Sequence, residues 1–435
     1  MENVIHEMSS VAPLPRYNIF SVPPTQVTVK KTDEIEVRPI APATMHSPWE
    51  FNINLAPNMY LYLNETRLKT VITVTLKKIS DGAEQVQAGF RTAGLKHVNN
   101  LQSSMIKSLE ITVGQKQLQR TPQNYAYRAY FENLMNNSDK AKTMHMSQAG
   151  WIEKLGLEEV KPATDTGKSV TYELIGPLHT DLTFQDRALI GGSTVKIKII
   201  PNDASFFLKH ATGYAPHVRV DYVGIFASYQ QVTPDLMLAH AQALRAATAK
   251  YPINRFEVSY DVVLSGATEA LFDNAFVGRL PRRMFLGLVP NKALNGDISS
   301  DPFEFKPHNL KYASAFINGV QFPSIAYTPD FTGGRYGREY LEFLKTLEQH
   351  GSNPIVNITK AAFAKDCMFI PFNLSQDASS GYHTEGYVSP HQSGVMRLAL
   401  QFSEALTANI AVVLFQEFDD IIEIDELRNV TTTYN

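Results

Sequence analysis

The chain has 435 residues, 44% of them apolar and 19% charged, which excludes a disordered chain or a coiled coil. Forty basic and 43 acidic side chains give a net charge of −3, which argues against a protein that wraps nucleic acid on a concentrated basic surface. A chain of this length predicts two or three domains.

Residues 1–28 are predicted to form an extended arm, because they contain several prolines and no hydrophobic periodicity. The N-terminus lacks a basic start followed by an apolar run, so no secretion signal is expected. No apolar run reaches the roughly 18 residues of a membrane span. Cys367 is the only cysteine, and the apolar run around it predicts a buried structural thiol in a reducing compartment.

Short segments with strand character follow from residue 29, separated by turn residues. In "TVKIKII" (194–200), apolar residues alternate with lysines, which is the period of a half-buried strand. One segment differs: 233–250 is rich in alanine, with Thr233 as a predicted N-cap and Pro234 at the first helical position. Strand-like segments resume after it, which predicts two all-β halves joined by a helix.

The two halves repeat one pattern in the same order. In the first, strand 108–113 and a glycine turn precede the aromatic helix "YAYRAYFENL"; in the second, strand 312–317 and a turn precede "REYLEFLKTL". Each helix has apolar residues at i, i+3, i+4 and i+7. The residues are Tyr127, Tyr130, Phe131 and Leu134 in the first helix, and Tyr340, Phe343, Leu344 and Leu347 in the second. The offset of about two hundred residues indicates a duplicated domain.

These features predict an all-β double jelly roll of two eight-stranded sandwiches, each with a helical insertion, joined by a helical connector. Immunoglobulin-like domains, of about 100 residues, are too small for this repeat. The predicted boundaries are an arm at 1–28, a first jelly roll at 29–232, a connecting helix at 233–250 and a second jelly roll at 251–435.

The aromatic helices, predicted at 122–135 and 338–347, are interpreted as packing elements at contacts between domains or subunits. On the first helix, Arg128 and Glu132 are predicted to form an i, i+4 pair on the solvent side. The alternative is that its tyrosines stack on bases or sugars. The pair Arg282-Arg283 is interpreted as an ordinary solvated or strand-edge feature.

No nucleotide-binding loop, zinc-protease motif or nucleophile elbow occurs, so no catalytic or cofactor-binding residues are assigned. His383, Glu385 and His391 have a spacing that metal ligands could have. They stand in a stretch rich in Gly, Ser and Pro, typical of a surface loop, and metal binding is the less favoured interpretation.

Several long segments resemble one known family. "YAYRAYFENL", "GPLHTDLTFQDRALIGGSTVKIKIIPNDASFFL", "LAHAQALRAATAKYPINRFEV", "FVGRLPRRMFLGLVPNKALNG" and "FQEFDDIIEIDELRNV" are similar to the major capsid protein of Polinton (Maverick) elements and adintoviruses. The resemblance runs from about Trp49 to the C-terminus. It departs from the family at Ala126, where a proline is expected, and in 348–366, which has no recognised counterpart.

The resemblance implies homotrimeric, pseudo-hexagonal capsomers that form an icosahedral shell around double-stranded DNA, together with a separate penton protein. It implies no enzyme activity, no cofactor, and a location in the virion. The main alternative is a β-sandwich protein that binds glycans or a receptor, and a metal-dependent enzyme is a more distant one.

Overall fold

The computed structural model of the chain describes residues 15–20, 22–54, 56–120, 124–153, 156–348, 356, 358–378 and 386–434. Within these ranges the chain forms two β-sandwiches, one after the other along the sequence. The first sandwich contains β1 (Val29–Val37), β2 (Trp49–Asn54), β3 (Arg67–Lys78), β4 (Ile106–Val113), β5 (Lys116–Arg120), β6 (Ser169–Pro177), β7 (Thr194–Pro201) and β8 (Tyr214–Val232). The second contains β9 (Ala249–Val263), β10 (Glu269–Arg279), β11 (Arg283–Pro290), β12 (Leu310–Ile317), β13 (Val320–Tyr327), β14 (Phe369–Asn373), β15 (Ser393–Phe402) and β16 (Ile410–Ile424).

Helices lie between the strands and, in one place, between the sandwiches. The longer ones are α1 (Gln87–Ala93), α2 (Tyr125–Asn136), α3 (Asp139–Thr143), α4 (Pro234–Ala246), α5 (Gly337–Thr346) and α6 (Lys360–Lys365). One-turn α-helices span Leu101–Ser104, Ala204–Phe207 and Asn291–Leu294, and 3₁₀ turns span Pro15–Tyr17, Leu63–Glu65 and Met146–Ala149. Short strands are Met59–Leu61, Lys96–His97, Glu158–Glu159, Leu208–Lys209 and Val430–Thr432.

The two sandwiches have the same strand order. In the first, the sheets run β1-β8-β3-β6 and β2-β7-β4-β5; in the second, they run β9-β16-β11-β14 and β10-β15-β12-β13. Neighbouring strands are antiparallel throughout these sheets. Two four-stranded faces connected in this order form a jelly roll. The chain is therefore a double jelly roll, and the predicted fold class is confirmed.

The alternation read from the sequence determines which side of each strand is buried. In β7, Val195, Ile197 and Ile199 are at most 1% exposed, while the lysines between them point out of the core. The same period holds in β2, where Trp49 and Phe51 are buried and Glu50 is exposed. Since side chains of a strand alternate between faces, the pattern predicts the core-facing side directly.

The connecting helix α4 is shorter than the range predicted for it. Thr233 occupies the N-cap, as expected, but its side chain forms no capping hydrogen bond, and the helix ends at Ala246. Strand β9 starts at Ala249, before the predicted boundary at 251, because Ala249 pairs with Ile424 of β16. None of the residues of α4 is buried, and a groove of about 470 Å³ opens beneath it.

The aromatic helices α2 and α5 occupy equivalent places. Each follows the hairpin at one edge of its sandwich, β4–β5 for α2 and β12–β13 for α5. Their observed bounds lie within three residues of the predicted ones, with residues 121–123 outside the described ranges. No helix in the described parts of the chain combines the length and apolar character of a membrane crossing.

Candidate functional site at the junction of the two jelly rolls

Helix α2 lies between the two jelly rolls and is covered by both. All of its residues from Tyr125 to Met135 are buried. The Phe131 ring stacks on Phe415 of the second jelly roll, with ring centroids 4.4 Å apart, and also contacts Phe285 and Phe369. Such clustered rings contribute beyond their buried area. A helix that belongs to the first jelly roll therefore completes the core of the second.

The other predicted residues of α2 take part in the same junction. Tyr130 stacks on Phe303 at a centroid distance of 4.3 Å, and Tyr127 meets the same ring edge-on at 5.7 Å. Leu134 is 2% exposed. Because these aromatic rings are enclosed, they offer no surface on which a base or a sugar could stack.

A buried ionic cluster holds α2 in place. Arg128 and Glu132, predicted to lie on the solvent side, are only 1% and 6% exposed. That prediction is wrong, because the second jelly roll covers the helix face that a single domain would leave in water. The Arg128 guanidinium lies 2.9 Å from Glu132 Oε1 and 2.7 Å from Asp181 Oδ1, and Glu132 Oε2 lies 2.7 Å from His179 Nδ1. Burial raises the pKa of Asp181, and the charge of Arg128 opposes that rise.

Side chains of the first jelly roll also satisfy the backbone at the edge of the second. Strand β9 is the end strand of its sheet, so one side of it has no strand partner. Arg128 Nη1 donates to the carbonyl of Phe256 at 3.3 Å, and Asp181 Oδ1 accepts from the Phe256 N–H at 3.1 Å. Asn124 Nδ2 donates to the carbonyl of Val258 at 2.9 Å. These bonds cover an edge that would otherwise be open to another strand.

The last residues described join both halves. The Tyr434 hydroxyl donates to the carbonyl of Leu118 on β5 at 3.0 Å, and its ring lies 4.8 Å from the Arg255 guanidinium. Arg428 Nε donates to the carbonyl of Gly191 at 3.0 Å. Segment 428–434 of the second jelly roll therefore binds the first jelly roll at hairpin strand β5 and at the loop before β7.

Strand β16 carries a second set of buried charges. Its carboxylates and the arginines that pair with them are Glu417, Asp419, Asp420, Arg255, Arg279, Arg282 and Arg283. Of the two interpretations of Arg282-Arg283, the solvated one is wrong, since the residues are 6% and 7% exposed; Arg283 is the first residue of β11. Burial by itself would raise the pKa of Glu417, but the charges of Arg283 and Arg282 outweigh it and lower the pKa.

Helix α5 is covered less completely than α2. Phe343 and Leu347 are 0% and 7% exposed, and Phe343 contacts Phe285 and Phe363 in its own jelly roll. Tyr340 and Leu344 are half-buried, and the Tyr340 hydroxyl donates to the carbonyl of Ile358 at 2.8 Å. The same apolar pattern therefore packs within one jelly roll in α5, whereas in α2 it packs against both jelly rolls.

A loop of the second jelly roll forms another contact between the halves. Lys209 Nζ donates to the carbonyls of Ser205 at 2.8 Å and Asp297 at 2.7 Å, and the N–H of His210 donates to Ile298 at 3.0 Å. Burial raises the pKa of the nearby Asp301 to about 6 and lowers the pKa of Lys209 to about 8.

The raised pKa of Asp301 predicts a pH dependence of stability. Between its ordinary pKa of 3.8 and about 6, the folded chain binds more protons than the unfolded chain. Its contribution to the free energy of unfolding is therefore expected to fall as pH rises through this window. Lys209 stays protonated there in both states. Asp301→Asn is expected to remove this pH dependence of the free energy of unfolding and to stabilise the protein at pH 7, as measured by urea titrations at several pH values.

The control is Asp273→Asn, at a side chain that is 72% exposed, which should leave the pH dependence unchanged. An equal pH dependence of the unfolding free energy in both variants would contradict the assignment to Asp301.

The remaining candidates from the sequence do not form a chemical site in the described chain. His383 and Glu385 lie outside the described residues, and His391 is exposed. Among the residues that the structure covers, no three potential ligands cluster as a metal would require. Cys367 is 0% exposed, as predicted, and burial raises the pKa of its thiol to about 12. The thiolate that would act as a nucleophile is therefore strongly disfavoured.

Comparison with known proteins places the fold. No protein-family model matches the chain. An uncharacterized protein of Caenorhabditis elegans is 24% identical over 403 residues, which cover 88% of this chain and 92% of that protein.

Three solved structures are similar over nearly their whole length. A chain of the Sputnik virophage has a TM-score of 0.63 and 12% identity, covering 100% of this chain and 94% of its own. The Faustovirus major capsid protein has a TM-score of 0.58 and 10% identity, with 92% and 91% covered. For the mavirus major capsid protein the TM-score is 0.55 and the identity 12%, with 99% and 96% covered. The chain therefore has the double jelly-roll fold found in viral major capsid proteins.

Proposed function

We propose that the chain is a major capsid protein, a structural subunit that forms homotrimeric, pseudo-hexagonal capsomers. One observation carries the proposal: two jelly rolls of identical strand order make up most of the described chain, and the similar capsid proteins match this chain over almost their full length. Three copies would place six similar jelly rolls around a threefold axis, which is the kind of tile that covers a closed shell.

The junction between the jelly rolls supports this proposal. A capsomer keeps its shape only if the angle between the two jelly rolls of each subunit is maintained. Buried aromatic rings, buried ion pairs and edge hydrogen bonds all cross the junction between these jelly rolls. Closely packed protein interiors resist deformation. The candidate site therefore has a structural role: it determines the relative orientation of the two jelly rolls of the subunit.

The wider assembly follows from the family resemblance. The proposed lineage is that of Polinton elements and adintoviruses, supported by the segments quoted above. The proposed partners are neighbouring capsomers and a separate penton protein, in an icosahedral virion that encloses double-stranded DNA. The net charge of −3 supports weak, non-specific contacts with that DNA at most.

The first test is the assembly state of the purified protein. We expect a trimer near three times 48.6 kDa by light scattering, and hexagonal tiles or shells in electron micrographs. A stable monomer at high concentration would count decisively against the proposal. A glycan- or receptor-binding protein would instead bind a glycan array, lose that binding on Tyr382→Ala, and form no assemblies.

A further inference from the structure

The groove beneath α4 is large enough to hold a small molecule. Its volume is about 470 Å³, within the roughly 300–1,000 Å³ of clefts that bind small ligands. The first jelly roll contributes Ile190 and Val232 to its walls, the second contributes Ala249 and Tyr251, and α4 forms the remaining wall. Ligand clefts occur preferentially between domains, and this one touches both jelly rolls.

One face of α4 lines the groove. The lining residues on the helix and just after its end are Leu236, His240, Ala243, Leu244 and Ala247. They stand at i, i+4, i+7, i+8 and i+11, so they share one side of the helix. Apart from one imidazole this wall is apolar, and an alkyl chain placed against it would be removed from water.

The charged side chains that line the groove are basic. Arg187 and Lys250 are among the lining residues, and no described lining residue is an aspartate or a glutamate. Arg187 Nη1 donates to the carbonyl of Lys250 at 2.5 Å, which holds this arginine beside the start of β9. Lys250 Nζ lies 3.0 Å from Glu423 Oε1, outside the lining, so its charge is partly offset. A cleft with basic groups in its lining attracts an anion.

Two buried hydroxyl groups add hydrogen-bonding capacity to the groove. Tyr60 and Tyr251 are 6% and 4% exposed. The Tyr60 hydroxyl lies 3.0 Å from His240 Nδ1, and the Tyr251 hydroxyl accepts from the Ile190 N–H at 3.1 Å. Burial raises the pKa of both hydroxyls, that of Tyr251 to about 12, and the charge of Arg428 opposes the rise in both. Positive charge therefore acts on the groove from more than one side.

This combination of walls and charges selects among ligands. A sugar would leave most of its hydroxyl groups against apolar walls without hydrogen-bond partners. A cationic ligand would meet Arg187 and Lys250, and a small hydrated anion would gain nothing from the face of α4. A molecule with an apolar chain and an anionic head matches both parts of the lining.

We propose that the groove binds a single-chain carboxylate of the fatty-acid class. Its alkyl chain lies against Leu236, Ala243 and Leu244, and its carboxylate lies toward Arg187, because a guanidinium matches the geometry of a carboxylate. The bound molecule would touch both jelly rolls and α4 at once. The inference is independent of the capsomer proposal, since it concerns a groove within one chain.

Calorimetric titration with dodecanoate, kept below the concentration at which it forms micelles, tests the ligand class. We expect saturable binding of one molecule per chain. Dodecanol and dodecyltrimethylammonium carry the same alkyl chain without a negative charge. Each is expected to bind at least about tenfold more weakly, because neither forms the charge-assisted hydrogen bonds of a carboxylate.

Substitutions test the location of the site. Ala243→Trp places a large ring in the groove and is expected to abolish dodecanoate binding. The matched control is Ala241→Trp, at an exposed position of the same helix that does not line the groove. Arg187→Gln should weaken dodecanoate binding at least about tenfold and leave dodecanol binding unchanged. Arg245→Gln, at a side chain that is 74% exposed, should alter neither.

The outcomes separate this ligand from other occupants. Equal affinity for dodecanol and dodecanoate, or binding that persists in Ala243→Trp, would overturn the inference, as would a wild-type chain that binds no dodecanoate. The N-terminal arm is the main competitor, because Thr28 at its end lines the groove. A synthetic peptide of residues 15–28 that binds in place of dodecanoate, and fails to bind Ala243→Trp, would identify the arm as the occupant instead. Each of these results would leave the capsomer proposal standing.

Discussion

Replacement of Arg128 by methionine is expected to lower the free energy of unfolding by about 3–5 kcal/mol. The guanidinium lies within 3 Å of carboxylate oxygens of both Glu132 and Asp181, and all three side chains are buried. Methionine fills similar space but supplies no charge, so two carboxylates would remain in the interior without their cation. Urea unfolding at pH 7 would measure the loss.

A surface arginine provides the control for this substitution. Arg335 pairs with Asp330 Oδ2 at 2.5 Å, but its side chain is 82% exposed, so Arg335→Met should cost at most about 1 kcal/mol. Adding Glu132→Gln and Asp181→Asn to Arg128→Met should recover part of the lost stability, because the uncompensated charges are then gone. Equal losses for Arg128→Met and Arg335→Met would show that the cluster is solvated in solution.

Phe131→Ala is expected to cost about 3–5 kcal/mol, because the cavity would open inside a packed aromatic cluster. The ring contacts Phe285, Phe369 and Phe415, which belong to the other jelly roll. The loss of stability should therefore affect both jelly rolls. Hydrogen exchange is expected to quicken in β11 and β16 as well as in α2.

The control for the aromatic substitution is Phe20→Ala, at a ring that is 93% exposed. This change should alter the free energy of unfolding by no more than about 0.5 kcal/mol. If Phe131→Ala quickened exchange only in the first jelly roll, the second would hold its core without the helix, and the junction would not act as one unit.

The rigidity of the junction matters because three copies are proposed to place six jelly rolls around one threefold axis. Three copies close into a ring only if the step inside each subunit and the step between subunits together make a third of a turn. The contacts of α2 with β9 determine that step within the chain. Variants that loosen the junction, such as Phe131→Ala, are therefore expected to reduce capsomer formation even where the folded chain survives.

The sequence by itself determined the fold class, the duplication and the sidedness of the strands. Alternation in β7 and the repeated i, i+3, i+4, i+7 pattern are local signals. They depend only on how side chains repeat along a strand or a helix, and not on where the element lies in the fold. They predicted that Tyr127, Tyr130, Phe131 and Leu134 form one apolar face, and the structure buries all four. The order of the elements was enough to identify two copies of one architecture.

Only the tertiary structure decided what covers each helix. Helices α2 and α5 carry the same apolar pattern, yet α2 is enclosed on every side while Leu341 of α5 remains 46% exposed. The burial of Arg128, Glu132 and Arg282 was likewise absent from the local pattern. Burial at these positions depends on partners such as Phe256 and Glu417, which lie more than one hundred residues away in the chain. Local periodicity shows which face of an element is apolar. Packing in three dimensions decides which neighbour buries that face.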